Sequence, residues 1–412
     1  MLTEAQRNIV RSTVPVLQQY GEPITSEFYR QLFLGHPELL NIFNQSNQRQ
    51  GGQSASLAAS ILMYAAHIDQ IDELVDMVDY IAHKHGSLEV QPEHYPIVGD
   101  YLLRAIRTVL KDAATDEVVE AWSAAYEDLS AIFIRREQQL YQQNSARKGG
   151  WDGYKDFTVI KKVKESDSMM SVYLSPEDRQ PLPSFAEGQF LSVKLTVPGN
   201  PNQQIRQYSI SCASNGRYYR ISVGRERTNV GEGKVVDGLV STYIHEELLV
   251  GSTILVHMPL GAFVLNQASA RPAVLLSGGT GITPVLSMLH RLDQLSDRDV
   301  YFVHGTRNRA LHAFRYEVRS IASRNKKVRA LFFYDEVDAE DIRGEHYDEQ
   351  GFINAAKLVK HLPHEEAEFY YCGPLPFLRS IETILDHFGV SVSRRFSEAF
   401  APDPALIIAK AT

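Results

Sequence analysis

Apolar residues change their rhythm twice along this chain, and the two changes divide it into three. From Thr3 to about Gln143 they recur at the three-and-four spacing that keeps one face of a helix apolar. Val118, Trp122, Ala125, Tyr126, Leu129, Ile132, Phe133 and Leu140 trace one such stripe, with Arg136 its polar exception. Breaks fall at Gly35-His36-Pro37, Gln50-Gly51-Gly52 and Pro92, so this third predicts roughly six to eight helices and no strand. The polar run Asn144-Ser145-Ala146-Arg147-Lys148-Gly149-Gly150 reads as a linker. Short alternating runs follow: Tyr154 to Val163, Met170 to Leu174, Gln189 to Val197, Gln207 to Cys212, Tyr218 to Arg225 and Thr253 to Met258. Regularly spaced short strands predict a small antiparallel barrel. From about Arg271 four apolar runs, Ala273 to Ser277, Val300 to Gly305, Val328 to Tyr334 and Glu368 to Cys372, alternate with helix-length polar segments, the pattern of a parallel sheet with helices on both faces. The expected organisation is an all-α domain over 1–143, a linker over 144–152, a β-barrel over 153–265 and an α/β domain over 266–412.

Composition narrows the classes. Of the 412 residues 44% are hydrophobic and 22% charged, the balance of a globular chain. The net charge is −8 and no Lys/Arg block stands out, so a nucleic-acid partner is not expected. Two cysteines, Cys212 and Cys372, are too few for a disulfide framework, and no paired Cys/His spacing points to structural zinc. The start, Met1-Leu2-Thr3-Glu4-Ala5-Gln6-Arg7, lacks the basic residues and apolar run of a secretory signal. No uninterrupted apolar stretch reaches the length of about 18 residues that a membrane span needs. The expectation is a cytoplasmic protein with no membrane span.

In the helical third four positions are candidates for chemistry: Tyr29 among Phe28, Leu32 and Phe33, Phe43 after Leu40-Asn41-Ile42, Gln53 after two glycines, and His85. Singly, each has a commoner explanation, core packing for the aromatics and a solvated face for Gln53 and His85. His67 and His83 compete with His85 as ligands. Glu137 is sharper. It falls four after Phe133 and three before Leu140, hence on the apolar face of its helix, where a carboxylate is costly unless it meets a partner. The plain alternative is a helix-end carboxylate that lifts into solvent.

In the second third, Arg206-Gln207-Tyr208-Ser209 puts Arg206 and Tyr208 on one strand face and Ser209 on the other. A cation suits a pyrophosphate, an aromatic a flat ring, and a hydroxyl a ring nitrogen. Alone, the tetrapeptide is an ordinary amphipathic strand. It is preceded by Gly188-Gln189-Phe190 and followed by Gly238-Leu239-Val240-Ser241 at the start of a helix expected over Thr242 to Leu249, with Ser241 as its N-cap. In the last third, strand Ala273 to Ser277 runs into Gly278-Gly279-Thr280-Gly281-Ile282-Thr283-Pro284. Glycines allow a phosphate close to the backbone, and the helix that follows offers its amino-terminal dipole. The spacing is not that of the dinucleotide GxGxxG fingerprint, and such a cluster is often only a tight turn.

Together these segments resemble the flavohaemoglobin family. The resemblance is carried by His36-Pro37-Glu38-Leu39-Leu40-Asn41-Ile42-Phe43-Asn44 with Ser46-Asn47-Gln48-Arg49, by Ile81-Ala82-His83-Lys84-His85, by Tyr95-Pro96-Ile97-Val98-Gly99, and by the reductase motifs above with Pro259-Leu260-Gly261-Ala262-Phe263. It implies a globin with haem b, Phe43 wedged on the porphyrin, His85 as proximal iron ligand, and Tyr29, Gln53 and Leu57 on the distal side. It implies that Glu137 and Tyr95 hydrogen-bond the proximal histidine. The reductase arm resembles the ferredoxin-reductase superfamily, which implies FAD held by Gln189, Phe190, Arg206, Tyr208, Ser209 and Gly238 to Ser241. NADH or NADPH is then held by Gly278 to Pro284 and by Cys372-Gly373-Pro374, with Cys372 near the nicotinamide; the commoner fate of a cysteine is a buried structural thiol. Ser397-Glu398-Ala399-Phe400-Ala401-Pro402 resembles a tail that stacks Phe400 near the flavin, with Ala at 399 and 401 where the family pattern has Cys and Gly. The segment Thr228-Asn229-Val230-Gly231-Glu232-Gly233-Lys234 is an insertion, expected as a loop near the flavin phosphates.

The activity implied is that of a nitric oxide dioxygenase that detoxifies NO: two NO, two O2 and one NAD(P)H give two nitrate. The rivals are a reductase for another acceptor (peroxide, ferric chelate or quinone), a globin gas sensor, and an oxygen-storage or lipid-binding protein. Arg307 and Arg309 follow the second α/β strand, where a 2′-phosphate can be read, and leave NADH versus NADPH open. A monomer is expected.

Overall fold

A computed structural model describes residues 2–409 apart from 44–50, 230, 232–233 and 296. The quoted residues Asn44, Ser46 to Arg49, Val230, Glu232 and Gly233 therefore lie outside the described residues. The chain groups into two compact units: Met1–Ala146 with Gly199–Ile205 and Ala401–Thr412, and Arg147–Pro198 with Arg206–Phe400.

Among the described residues of the first unit the predicted periodicity resolves into helices α1 (Glu4–Ser12), α2 (Val14–Gly35), α3 (Gly52–Ala66), α4 (Val75–Ser87), α5 (His94–Leu110) and α6 (Asp116–Ala146). Thr3 starts α1 with a reciprocal capping box to Gln6, satisfying amides that a helix start leaves open. Helix α2 ends at Gly35, before Pro37, and α3 begins after Gly51, which sits at φ 74°. Along α6 the buried side chains are Val119, Ala121, Trp122, Ala125, Phe133, Glu137, Leu140 and Asn144. The helix runs on through Asn144-Ser145-Ala146, residues whose polarity had read as linker. Asn144 is buried, and the Ser145 hydroxyl donates back to the Tyr141 carbonyl, so polar side chains here serve the helix rather than end it.

The second unit carries two sheets. Strands β1 (Tyr154–Ser166), β2 (Met169–Pro176), β3 (Phe190–Leu195), β4 (Gln204–Ser209), β5 (Tyr219–Gly224), β6 (Arg227–Asn229), β7 (Val235–Asp237) and β8 (Thr253–His257) surround helix α7 (Leu239–Glu246) in sequence. Six of them form one sheet in the order β4-β3-β8-β1-β2-β5. The expected barrel closes only through an isolated antiparallel bridge from Ile210 to Ile221. The insertion expected as a loop is a β6–β7 hairpin at its ends, Arg227 opposite Asp237. Helix α7 starts three residues earlier than expected, with Gly238 as its N-cap.

The remaining elements are β9 (Ala273–Gly278), α8 (Ile282–Leu295), β10 (Val300–Thr306), α9 (Arg315–Arg324), β11 (Val328–Tyr334), β12 (Glu349–Gln350), α10 (Ala355–Leu358), β13 (Glu368–Cys372), α11 (Leu375–His387), β14 (Arg395–Glu398) and, in the first unit, α12 (Pro404–Ala409). The sheet order is β12-β11-β10-β9-β13-β14, all parallel. Strands β9 and β13 are buried throughout, as two-sided coverage requires. Because β10 lies on one side of β9 and β13 on the other, the connections diverge at the carboxyl ends of β9 and β13, which is where such sheets leave a crevice for a ligand.

Candidate functional site

In the helical unit three helices each contribute one polar side chain to a single point. His85 is on the last turn of α4, Tyr95 on the first turn of α5 and Glu137 on α6. Glu137 is only 2% exposed. Its Oε1 accepts from the Tyr95 hydroxyl at 2.5 Å and lies 2.8 Å from His85 Nδ1, which is also 3.1 Å from the Tyr95 oxygen. The Tyr95 proton is committed to the carboxylate, so the remaining hydrogen in the triangle belongs on Nδ1, donated to these two oxygens. That choice of tautomer leaves Nε2 with its lone pair. Nε2 has no partner among the described residues. The competing histidines differ: His67 Nε2 lies 3.9 Å from Glu73, and His83 Nε2 lies 3.6 Å from Asp79. Burial, and then the Glu137 charge, push the Tyr95 phenol far above its ordinary pKa, so it stays a donor.

Tyr126, which sequence reasoning placed only in the apolar stripe, supports this cluster. Its hydroxyl donates to the Tyr95 carbonyl at 2.8 Å, and its ring lies where a Cβ on Gly99 would stand. The signal was present as Gly99 one turn after Tyr95, but nothing in the sequence pairs it with Tyr126.

The other candidates of this unit also converge. Tyr29 is buried, and its ring meets Phe33 in a stack and Phe43 edge-on, with centroids 5.8 Å apart in both cases. Burial raises the Tyr29 pKa strongly, against a smaller lowering by a hydrogen bond with Gln53. Gln53 stands at the start of α3 and Leu57 one turn on; both are half-buried. Thr25, one turn before Tyr29, pins α2 to α3 by donating to the Ser54 carbonyl at 2.8 Å. An imidazole nitrogen kept unprotonated, an aromatic cluster and a phenol with an amide partner form a donor set that fits haem.

In the second unit Arg206 and Tyr208 do share a face of β4, and each appears in the electrostatics of the other. Ser209 turns inward and is buried. Gln189 and Phe190, expected at the flavin, stand at the start of β3 and are both buried. Gln189 Oε1 accepts from the Ala186 amide at 3.0 Å, and the Phe190 backbone bridges Leu260. Val240 and Ser241 are also buried, whereas Leu239 is exposed. Ser241 is not the N-cap: its hydroxyl accepts from the Glu226 amide at 3.1 Å and donates to the Gly238 carbonyl at 3.1 Å. The site thus offers a cation, an aromatic and a helix start at Gly238, which fits FAD.

After β9, Gly279 takes φ 54° and, with Thr280, is exposed. Gly281 has no room for a side chain, since a Cβ there would stand 2.0 Å from the Cys372 carbonyl oxygen. The turn therefore presses directly on the end of β13, where Cys372 is in register with Ser277. Ile282 and Pro284 are buried in the core and Thr283 ties the turn by donating to the Thr280 carbonyl at 3.1 Å, so what faces outward here is Gly279 and Thr280. Gly278 and Gly373 lie under the Phe377 ring, and Pro374 caps α11. This exposed glycine turn ahead of a helix start fits a dinucleotide. Cys372 is fully buried, and Phe400 is 47% exposed after the buried Ala399. Glu398, named in the sequence only as part of the tail, is buried on β14 in register with Cys372.

Comparison with known proteins extends these findings. The Globin family model matches residues 26–133, and that of the Oxidoreductase NAD-binding domain matches 275–383. The chain is 48% identical to the flavohemoprotein of Deinococcus radiodurans over 98% of both chains. It is 41% identical to that of Bacillus subtilis over 98% of this chain and 99% of the relative. The crystal structure of a flavohemoglobin from Malassezia yamatoensis, with bound FAD and heme, superposes with a TM-score of 0.82 at 27% identity, covering 97% of this chain and 99% of that one. The flavohem-like FAD/NAD binding domain of nitric oxide dioxygenase from Vibrio cholerae is 32% identical, with a TM-score of 0.54, and covers 60% of this chain and 98% of that domain. Among the described residues no helix is long and apolar enough to cross a membrane.

Proposed function

The chain belongs to the flavohemoprotein (flavohaemoglobin) family, and from that premise we propose that this haem- and FAD-containing, NAD(P)H-dependent oxidoreductase is a nitric oxide dioxygenase. The overall reaction is 2 NO + 2 O2 + NAD(P)H giving 2 nitrate, NAD(P)+ and a proton. The observation that carries the reading is the buried Glu137 carboxylate on His85 Nδ1. A carboxylate in that place makes the imidazole a stronger electron donor through Nε2, which suits activation of oxygen rather than its storage.

When bound, the nicotinamide, flavin and haem supply hydride delivery, its division into single electrons, and oxygen binding at iron. The residues do the rest. His85 would present Nε2 to the iron of a bound haem, while Glu137 and Tyr95 hold the proton on Nδ1. Tyr29, kept protonated by burial, would supply a hydrogen-bond donor on the oxygen-binding side of a bound haem, with its hydroxyl oriented by Gln53. Gly279 to Gly281 and the start of α8 receive nucleotide phosphate through backbone amides. Arg309 is already engaged by Glu340 at 3.4 Å and Asp341 at 3.2 Å, which favours NADH over a 2′-phosphorylated donor.

The test is NO consumption by the purified protein under air with NADH. Tyr29→Phe is expected to slow it by roughly 100-fold, the usual loss when one charge-stabilising donor is removed. Anaerobic flavin reduction by NADH should not change. Equal NO turnover in the two proteins would remove Tyr29 from the mechanism. Turnover with peroxide or ferric chelate but none with NO would favour the rival acceptors.

A further inference from the structure

Helix α8, whose first turn follows the nucleotide cradle, does not stand on packing alone. On its half-buried side His290 Nε2 lies 2.5 Å from Glu317 Oε1 on α9. The same carboxylate takes both terminal nitrogens of Arg220 on β5, each at 3.0 Å. Arg220 is buried, with its guanidinium 5.0 Å from the Phe314 ring centroid. Its Nε donates to the Ser211 hydroxyl at 3.1 Å, and Ser211, Ser222 and Ser171 continue a buried hydroxyl chain at 2.7 and 2.8 Å. One strand of the flavin-binding sheet is thereby tied to two helices of the nucleotide-binding half. Four residues further along β5, Gly224 meets Thr280 of the cradle, so closely that a Cβ on Gly224 would stand 2.4 Å from Thr280 Cγ2.

Buried ion pairs are poor sources of stability, because desolvation offsets most of the attraction. They are good at fixing geometry: a bidentate guanidinium–carboxylate pair has one arrangement. Here the fixed arrangement joins the two halves between which a hydride must pass. We propose that the Arg220–Glu317–His290 clasp is a positioning device for hydride transfer, setting how closely the Gly278–Pro284 cradle is held to strand β5. In that step the C4–H bond of the dihydronicotinamide breaks and an N–H bond forms at flavin N5. The nucleotide loses two electrons and the flavin gains them. The proposal rests on the nucleotide-to-flavin part of the reading above and not on NO as substrate.

The experiment uses the holoenzyme, anaerobically, mixed with NADH or NADH deuterated at C4 in a stopped-flow instrument. Glu317→Gln is expected to lower the limiting rate of flavin reduction by roughly 10- to 100-fold, the scale of sub-ångström to ångström misplacement. It should also alter the isotope effect and weaken the long-wavelength flavin–nicotinamide absorbance formed with NAD+. The NAD+ dissociation constant, from calorimetric titration, should stay within about twofold, because the phosphate cradle is untouched. Arg220→Lys, which keeps the charge but not the bidentate geometry, should fall in between. His290→Gln leaves the Arg220–Glu317 pair in place and carries the test if Glu317→Gln does not fold. A limiting rate equal to wild type in the folded variants, with only a lowered Tm, would overturn the proposal and leave a structural ion pair. If wild-type flavin itself is not reduced by NADH, the broader reading fails instead.

Discussion

The proximal cluster of the helical unit and the glycine cradle of the reductase unit solve similar problems with opposite materials. Around His85 the chemistry is held by side chains from three helices, and Nδ1 is aimed by two partners while Nε2 is left open. At Gly278 to Pro284 it is held by backbone, and the side chains of Ile282, Thr283 and Pro284 are buried. The difference teaches where each site is fragile. A side-chain network can lose one hydrogen bond and keep its shape, so its failures should be chemical and graded. A backbone cradle has no atom to lose, so its failures should be steric.

Replacing the metal-binding nitrogen should have the largest effect. His85→Ala is expected to abolish normal haem ligation, read as loss or gross change of the ferrous Soret band. Flavin reduction by NADH should persist; an unchanged ferrous spectrum would return His67 and His83 to consideration. Next comes the cradle. Gly281→Ala forces a methyl against the Cys372 carbonyl and should cost about 1–3 kcal/mol of overpacking, seen as a weaker NAD+ affinity with an intact haem spectrum. Normal affinity would mean that backbone contact is not what defines this site. Glu137→Gln should be milder, roughly tenfold in NO turnover, with a lower iron–histidine stretching frequency in the Raman spectrum. No frequency change would show that Tyr95 alone holds Nδ1. The smallest effect is expected in acid. Burial acts to raise the Glu317 pKa, but hydrogen bonds from His290 and Arg220 outweigh it and lower the value to about 2 from 4.5. The clasp's stabilisation is therefore complete above about pH 4.5 and is lost as pH falls toward 2. The Tm difference between wild type and Glu317→Gln should shrink over that interval, by roughly 2–4 °C for each kcal/mol lost; a constant difference would deny the pairing.

Legibility in the sequence followed the same division. Strands β11 and β13 occur over Val328–Tyr334 and Glu368–Cys372 as read from their apolar runs; β13 is buried on both faces and β11 over its last three residues, and such runs announce themselves locally. The inward direction of Glu137 was readable from its place between Phe133 and Leu140. What it meets was not, because Tyr95 and His85 lie 42 and 52 residues away in the chain. Ser241 was misread as an N-cap for a related reason. A hydroxyl at that point suits a cap, and only the approach of Glu226 shows that it is occupied elsewhere. The bond from the Ala186 amide to Gln189 Oε1 was equally out of reach of the sequence, because it depends on how the chain turns ahead of β3.

By itself, then, the chain's order of residues determined the succession of helices, antiparallel strands and parallel strands, the places where glycine must stand, and the side on which a carboxylate must point. These depend on periodicity and backbone freedom, which act over a few residues. Tertiary structure alone decided which histidine nitrogen is left with its lone pair, which polar groups are already satisfied, and that Arg220 and Glu317 share a pair across 97 positions. Those are properties of distance in space, and a hydrogen bond forms only when folding has brought donor and acceptor within about 3 Å.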